Sequence, residues 1–265
     1  MLHSRQPIHV CPALPDPVTT LSHEFGEGHH IPEHLHQEDQ LVYASRGVMT
    51  VRTGAGMWVV PPQRAVWIPA RTIHSVVMSG PVSMRTLYIK PGLVRRLSTR
   101  CRVVHVSELL RELVLHACRF KALRRRNSAQ AHLIDVICDQ LETVETSPLQ
   151  LRSPTDARAA RVAELLSQDP GDQRTLDEAC RAAGASKRTI ERIFRRETAM
   201  TLGAWRHQMR LLRSLQLLAA GEKITHVAME SGYSTPSAFI TMFKKAFGTT
   251  PGVYFAADDP PPRRL

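Results

Sequence analysis

The segment from Ile224 to Tyr254 restricts what this chain can fold into more than any other. Ile224, Val227 and Ala228 fall at i, i+3 and i+4, the spacing of a short helix that buries one face. Gly232 then supplies the positive φ that a sharp turn requires. Ser234 or Thr235 can cap a second helix, and Pro236 suits its first turn. Phe239, Phe243 and Phe247 lie four residues apart and anchor that helix. Ser237, Thr241, Lys244 and Lys245 fall off the phenylalanine stripe. Gly248 ends the helix, and Pro251 is expected to prevent its resumption. A short helix, a tight turn and a second helix with a polar, basic outer face make a helix-turn-helix, whose second helix enters the DNA major groove.

An earlier stretch repeats this plan. Leu176, Ala179 and Cys180 correspond to Ile224, Val227 and Ala228, and Gly184 corresponds to Gly232. Ile190 and Phe194 match Phe239 and Phe243, and Arg195-Arg196 matches Lys244-Lys245. Thr175 and Glu178 form a capping box for the first helix of this unit, and Ser186 caps the second. Between the units, Leu202 to Ala220 reads as one helix with Trp205, Met209 and Leu212 on one face. Its nineteen residues, at ~1.5 Å each, make a strut of about 28 Å. That is close to the ~34 Å of one DNA turn. Two reading heads on such a strut can enter successive major grooves.

Residues from about 155 to 256 therefore resemble the DNA-binding domain of the AraC/XylS family of transcription regulators, and Ala228 to Tyr254 carries most of the family signature. The resemblance implies double-stranded DNA as partner, with RNA polymerase as a further one. It places the first reading helix at Ser186–Arg196, with Arg188, Glu191 and Arg192 at base-reading positions. An arginine there can fork onto guanine, which is worth ~1–3 kcal/mol of discrimination. Glu191 can accept from cytosine N4, or pair with Arg188 or Arg195. Lys187 also falls on this DNA-binding face. Arg195 and Arg196 suit phosphates, giving affinity and salt dependence. In the second unit the corresponding residues are Ser234, Pro236, Ser237, Thr241, Lys244 and Lys245. Many members carry a long basic side chain where Thr241 stands, so the first unit is expected to supply most of the sequence discrimination. Ala199 stands where glycine commonly ends the first reading helix.

Charge distribution agrees with this division. The chain of 265 residues carries a net charge of +11. Lys187 to Lys245 holds 11 basic against 4 acidic residues, whereas Leu21 to Ile89 holds 5 of each. The basic C-terminal part suits a polyphosphate partner, and the neutral N-terminal part suits a different task. Lys90 to Arg126 is also basic, with 11 against 2, and is read as facing solvent. Cys11, Cys101, Cys118, Cys138 and Cys180 are scattered, odd in number and without a C-x-x-C pair. That argues against a disulfide framework or a cysteine zinc site and fits the reducing cytoplasm. Neither a signal peptide nor a membrane-spanning stretch is expected.

In the N-terminal part, residues 1–20 read as a proline-rich arm, either disordered or covering the sensor domain. Residues 21–90 read as short strands: Leu41–Tyr43, Val48–Arg52, Met57–Val60, Ala65–Ile68 and Met84–Ile89. Gly47, Gly54, Gly56, Pro61-Pro62, Pro69 and Gly80-Pro81 punctuate them. Gly28, His34, His36, Gln40 and Gly47 follow the spacing of the first cupin motif, with Gln40 where the family has glutamate. Pro69, Arg71 and His74 resemble the second motif, with Arg71 replacing glycine. The resemblance implies a cupin-like sensor barrel. Its His34, His36, His74 and Gln40 are candidate ligands for a divalent metal such as zinc, iron, manganese or nickel. The alternative is an organic effector in the same cavity, lined by His34, His36, Gln40, Tyr43, Trp67 and His74. Trp58 and Trp67 can equally be core. The segments Gln40–Ala44, Gly47–Met49, Trp67–Pro69 and Arg85–Tyr88 resemble an AraC-type subgroup that includes regulators of small-molecule efflux genes.

Residues 91–146 read as a helical hairpin. One apolar stripe is Val106, Leu109, Leu110, Leu113 and Val114; the other is Leu133, Val136, Ile137 and Leu141. Ser107 and Ser128 are the expected caps, and Arg124 to Asn127 the turn. The resemblance implies a homodimer through these helices; packing on their own barrel is the alternative. Residues 147–156 read as a linker, 157–256 as the DNA-binding domain and 257–265 as a tail. The fold class is α+β, with an all-β cupin barrel and helical hairpin followed by an all-α domain of two helix-turn-helix units on a linker helix. The function expected is a small-molecule-controlled transcription regulator. A cupin metalloenzyme fused to a DNA-binding domain, and a nucleoid protein without effector control, are the competing readings.

Overall fold

The computed structural model describes residues 9–11, 13–97, 99–147 and 150–256. The chain divides into two compact units: one contains 58–150 and the residues up to 54, the other 55–57 and the residues from 151.

The first unit is a curled sheet. Its strands are β1 (His9–Val10), β2 (Val18–Phe25), β3 (His30–Leu35), β4 (Asp39–Thr53), β5 (Gly56–Val60), β6 (Arg64–Ile68), β7 (His74–Ile89), β8 (Arg102–His105), β9 (Ala122–Leu123) and β10 (Thr146–Ser147). The frame is the antiparallel pair β4 and β7. The other edge of β7 is shared, with β3 on its first half and β2 on its second. The sequence reads Gly47 and Gly80-Pro81 as breaks, yet β4 and β7 run through them. Both glycines have positive φ, and the β4–β7 register shifts on either side of Arg46. A Cβ on Gly47 would overlap the Pro81 carbonyl oxygen. The glycines are thus bulges that bend two long strands around each other.

The proline-rich arm is not devoid of regular structure. β1 pairs in parallel with β3, the Cys11 N–H donates to the Leu35 carbonyl at 2.9 Å, and β2 already begins at Val18. Residues 1–8 lie outside the described residues, as do Pro148 and the tail 257–265.

Helices α1 (Glu108–Ala117) and α2 (Ser128–Thr143) cover one sheet face. Leu110, Val114, Ile134, Ile137 and Leu141 pack there with Leu41, Tyr43, Trp67 and Leu87. Ser107 caps α1 by accepting from Leu110 N–H at 3.1 Å. Ser128 does not cap α2; Asn127 does, accepting from Gln130 N–H at 3.1 Å. The expected apolar stripes are also corrected. Leu109 is 54% exposed and Val136 40%, while Ala117 on α1 and Ile134 and Cys138 on α2 are buried. Each helix has adjacent apolar residues at these points, so periodicity cannot say which of the two meets the sheet. The short strands β8, β9 and β10 also lie in the stretch expected to be helical.

The second unit begins with β11 (Gln150–Arg152), inside the expected linker, and α3 (Ala157–Gln168), followed by α4 (Leu176–Ala182) and α5 (Lys187–Thr198). The Thr175–Glu178 capping box is formed in both directions, and Ser186 caps α5. Helix α6 (Leu202–Ala219) has 18 residues, about 27 Å at ~1.5 Å each. Helices α7 (Ile224–Glu230) and α8 (Pro236–Phe247) follow, with Gly232 between them at φ 75°. Thr235 caps α8 through Ala238 N–H at 3.1 Å, and Gly248 ends it at φ 77°. Pro251 does not simply stop the chain; it opens α9 (Pro251–Ala256), because the first helical position needs no N–H donor. Tyr254 of α9 closes the phenylalanine stack, 5.6 Å from Phe243 and 5.1 Å from Phe247. Ala199 ends α5 at φ 59°, a left-handed conformation that costs an alanine on the order of 1 kcal/mol relative to glycine.

Arg206 and Arg210, one turn apart on α6, play a part that sequence patterning does not show. Arg206 donates to the carbonyls of Arg174 (2.7 Å) and Asp172. Arg210 donates to Pro170 (2.9 Å), Asp172 (2.9 Å) and, weakly, Gly232 (3.4 Å). Together they satisfy the carbonyls of the turn before α4 and bind it to the turn of the second helix pair. Burial pushes the pKa of both guanidiniums down, though an arginine remains charged at any physiological pH.

Candidate DNA-reading helices and effector cavity

Helix α5 buries Ile190, Ile193 and Phe194. At ~100° per residue, Arg188, Arg192 and Arg195 fall on the opposite side, and all three are exposed. Ser186 and Lys187 are exposed at its start. Arg196 is exposed but pairs with Glu197 Oε1 at 2.7 Å. The other carboxylate oxygen of Glu197 accepts from the N–H groups of Thr155 and Asp156 at 2.8 and 3.0 Å. The Arg196 guanidinium, then these N–H groups, hold the Glu197 carboxyl well below the usual range. Glu191 departs from expectation. It is half-buried, and its Oε2 accepts from Leu202 N–H at 3.2 Å, the first residue of α6. A carboxylate at a helix N-terminus satisfies an orphan donor, so Glu191 fixes α6 against α5.

On α8 the Phe239 and Phe243 stripe is buried, and Thr241 falls directly opposite it, flanked by Ser237 and Lys245. Ser234, Pro236, Ser237, Thr241, Lys244 and Lys245 are all exposed. The Thr241 hydroxyl donates to the Ser237 carbonyl at 2.9 Å.

In the first unit, His34 on β3 is the cross-strand neighbour of His74 on β7, and His36 follows at the end of β3. The ring centroids of His34 and His74 are 4.2 Å apart, and those of His34 and His36 are 4.9 Å. One ligand atom from each of the three lies within 4.8 Å of the others. His34 and His74 donate through Nδ1 to the carbonyls of Pro32 (2.7 Å) and Thr72 (2.9 Å). This fixes their tautomers and leaves the Nε2 lone pairs for a ligand, the arrangement a metal site requires. Burial lowers the His74 pKa to about 4, so this imidazole is neutral at pH 7. Arg71 adopts φ 62° at the position where the cupin motif has glycine, and its N–H donates to the His36 carbonyl at 2.7 Å. That bond ties the two histidine-bearing segments together.

A cavity of about 330 Å³ opens beside the cluster. His34, His36 and Gln40 line it, as the sequence suggests. Gln40 is buried, and among the described residues its Oε1 has no hydrogen-bond partner. Tyr43 and Trp67 do not line it. They pack in the core between the sheet and α1 and α2, because strand alternation sends Leu41 and Tyr43 to the face opposite Gln40. His74 joins the histidine cluster without lining the cavity. The remaining wall is Cys11, Leu21, Ile31, Pro32, Val76, Met84 and Tyr88. Sequence reading misses these. Tyr88, for example, is placed by its register opposite Gln40, and its ring lies 4.7 Å from that of His36.

Comparison with known proteins matches both units. Residues 17–154 match the AraC-like ligand binding domain, and residues 179–257 a helix-turn-helix domain. The HTH-type transcriptional regulator NimR of Escherichia coli is 33% identical over 225 residues, 85% of this chain and 82% of that protein. RipA, an HTH-type transcriptional regulator of Corynebacterium glutamicum, is 32% identical over 43% of this chain and 33% of its own length. The transcriptional activator NphR of a Rhodococcus species is 32% identical over 44% of this chain and 36% of its own length. These relatives are regulators, which sets the metalloenzyme reading aside. A ligand-domain match over more than half the chain, and a relative matched over most of both lengths, show that the chain belongs to the AraC family: it is a DNA-binding transcription regulator with an N-terminal ligand-binding domain and a C-terminal helix-turn-helix domain.

Proposed function

We propose that the cavity beside His34, His36 and Gln40 takes a small-molecule effector that controls how the reading helices engage an operator. The observation that carries this reading is the buried Gln40 Oε1, unpaired among the described residues and lining a cavity of about 330 Å³. A buried acceptor left without a partner costs roughly 1–3 kcal/mol, so a donor supplied by a ligand is favoured. The resemblance to efflux-gene regulators suggests a small toxic compound as effector and an export or detoxification gene as target. The activator NphR among the relatives supports activation, with RNA polymerase as the further partner, in the cytoplasm. A compound screen by thermal shift tests the cavity. Compounds that stabilise the wild type but not Met84→Trp, which fills the cavity, are expected; stabilisation of both alike would sink the assignment.

The same cluster fits a divalent ion, held by His34, His36 and His74, with Gln40 as the fourth candidate. Such an ion would supply positive charge and an open coordination position for an effector atom. Metal analysis of the purified full chain is expected to find about one ion per chain, lost in His34→Ala/His36→Ala. Metal-free wild-type protein that still binds its operator would leave the cavity an organic pocket alone.

Base reading is assigned to Arg188 and Arg192, with Arg195, Arg196, Lys187, Lys244 and Lys245 on the phosphates. Arg192→Ala is expected to weaken operator binding by ~1–3 kcal/mol and to relax one base position. Equal weakening on operator and random DNA would contradict that role.

Dimerisation is placed on the outer side of α1 and α2. Leu109 and Val136 are exposed there, beside the partly buried Leu113 and Leu133. Leu109→Glu/Val136→Glu should sediment as a folded monomer; an unchanged dimer would move the interface elsewhere.

A further inference from the structure

The two reading helices differ in chemistry as well as in residue size. The outward face of α5 carries Arg188, Arg192 and Arg195. The outward face of α8 centres on Thr241, with the exposed Ala238 and Ser237 on the same side and no long side chain before Lys244. The Thr241 hydroxyl proton is already used: Oγ1 donates to the Ser237 carbonyl at 2.9 Å, the usual back-bond of a helical threonine. A hydroxyl so bound cannot donate to a base acceptor. With Oγ1 turned back to that carbonyl, the γ-methyl of the exposed Thr241 is left as an apolar group on this outward face, beside Ala238. In the major groove the apolar feature that distinguishes one base pair from the others is the C5-methyl of thymine.

We infer that the second reading helix recognises a thymine methyl through the Thr241 γ-methyl, while the first reads bases by arginine hydrogen bonds. This rests on the assignment of α8 as a groove-entering helix. The division makes the two half-sites chemically different. One is read by charge-assisted hydrogen bonds and the other by close apolar contact.

The test uses the full-length protein and an operator selected from a random duplex pool. Each thymine is replaced in turn by deoxyuridine, which removes the 5-methyl and nothing else. At one thymine, wild-type affinity should fall about three- to fivefold, the burial of a single methyl. Thr241→Ser, which keeps the hydroxyl and lacks the methyl, should bind the unmodified operator with a similar loss and show no further loss at that deoxyuridine. Thr241→Val, which keeps a methyl and lacks the hydroxyl, should retain near-wild-type affinity and the deoxyuridine effect. Because Thr241 is exposed, both variants should fold, which circular dichroism checks. If Thr241→Val loses binding while Thr241→Ser does not, the hydroxyl is the reader and the inference is wrong. A consensus operator with no thymine that behaves this way overturns the inference alone. A pool that yields no consensus overturns the sequence-specific reading as well.

Discussion

Gly232→Ala is expected to destabilise the second unit by about 2–5 kcal/mol, beyond an ordinary glycine substitution. Two effects combine. Gly232 sits at φ 75°, where an alanine costs on the order of 1–2 kcal/mol. The added Cβ would also overlap the guanidinium of Arg210. That group cannot swing away freely, since it holds the carbonyls of Pro170 and Asp172 at 2.9 Å each. Moving it takes this donor from the Pro170 carbonyl, at roughly 1–3 kcal/mol, while the Asp172 carbonyl keeps its bond from Arg206. Denaturant unfolding of the wild type, each single mutant and Gly232→Ala/Arg210→Ala separates the terms. In the Arg210→Ala background the glycine substitution should cost only its backbone part, about 1–2 kcal/mol. Additive costs would show that the overlap is relieved elsewhere and that Arg210 does not couple the two turns.

Phe243→Ala should cost about 3–5 kcal/mol, as expected for truncating a fully buried aromatic. Phe243 has no solvent exposure and stands at the centre of the stack. Its ring centroid is 5.8 Å from that of Phe239, 4.6 Å from Phe247 and 5.6 Å from Tyr254. Helices α7, α8 and α9 meet around this ring, with α7 and α9 also packed on α6, so the loss should appear first in these helices. Hydrogen exchange is expected to show lost protection through these helices while α4 and α5, built around Phe194 and Trp205, retain theirs. Operator binding should fall to what the first reading helix achieves alone. Uniform loss of protection from α3 to α9 would mean that the second unit unfolds as one cooperative body.

The helix pairs were legible because their signals are local. A capping box spans Thr175 to Glu178, a turn needs one glycine, and the phenylalanine stripe repeats every four residues. Each of these acts within a few residues, and each was found in place. The histidine cluster was legible in part. His34 and His36 share a strand face by alternation, but the meeting with His74 depends on the register of β3 against β7. Tyr43 shows where the reading fails. It lies in the same run as Gln40, and motif resemblance drew both toward the cavity. Strand parity sends Tyr43 to the helix-covered face. Glu191 fails for a related reason: its charge suggests a base contact, but its partner is a backbone N–H eleven positions away.

The sequence alone determined the order of elements from Leu176 to Phe247, the duplicated reading heads and the polar face each presents. Caps, helical period and positive-φ glycines depend only on near neighbours. The tertiary structure decided which side of β4 meets the cavity, that Gly47 and Gly80 bend strands rather than end them, and that Arg206 and Arg210 hold a distant turn. Those outcomes rest on the pairing of residues far apart in the chain. A shift of one position in strand register or helix rotation reverses which side chains are buried, and no local pattern encodes that choice.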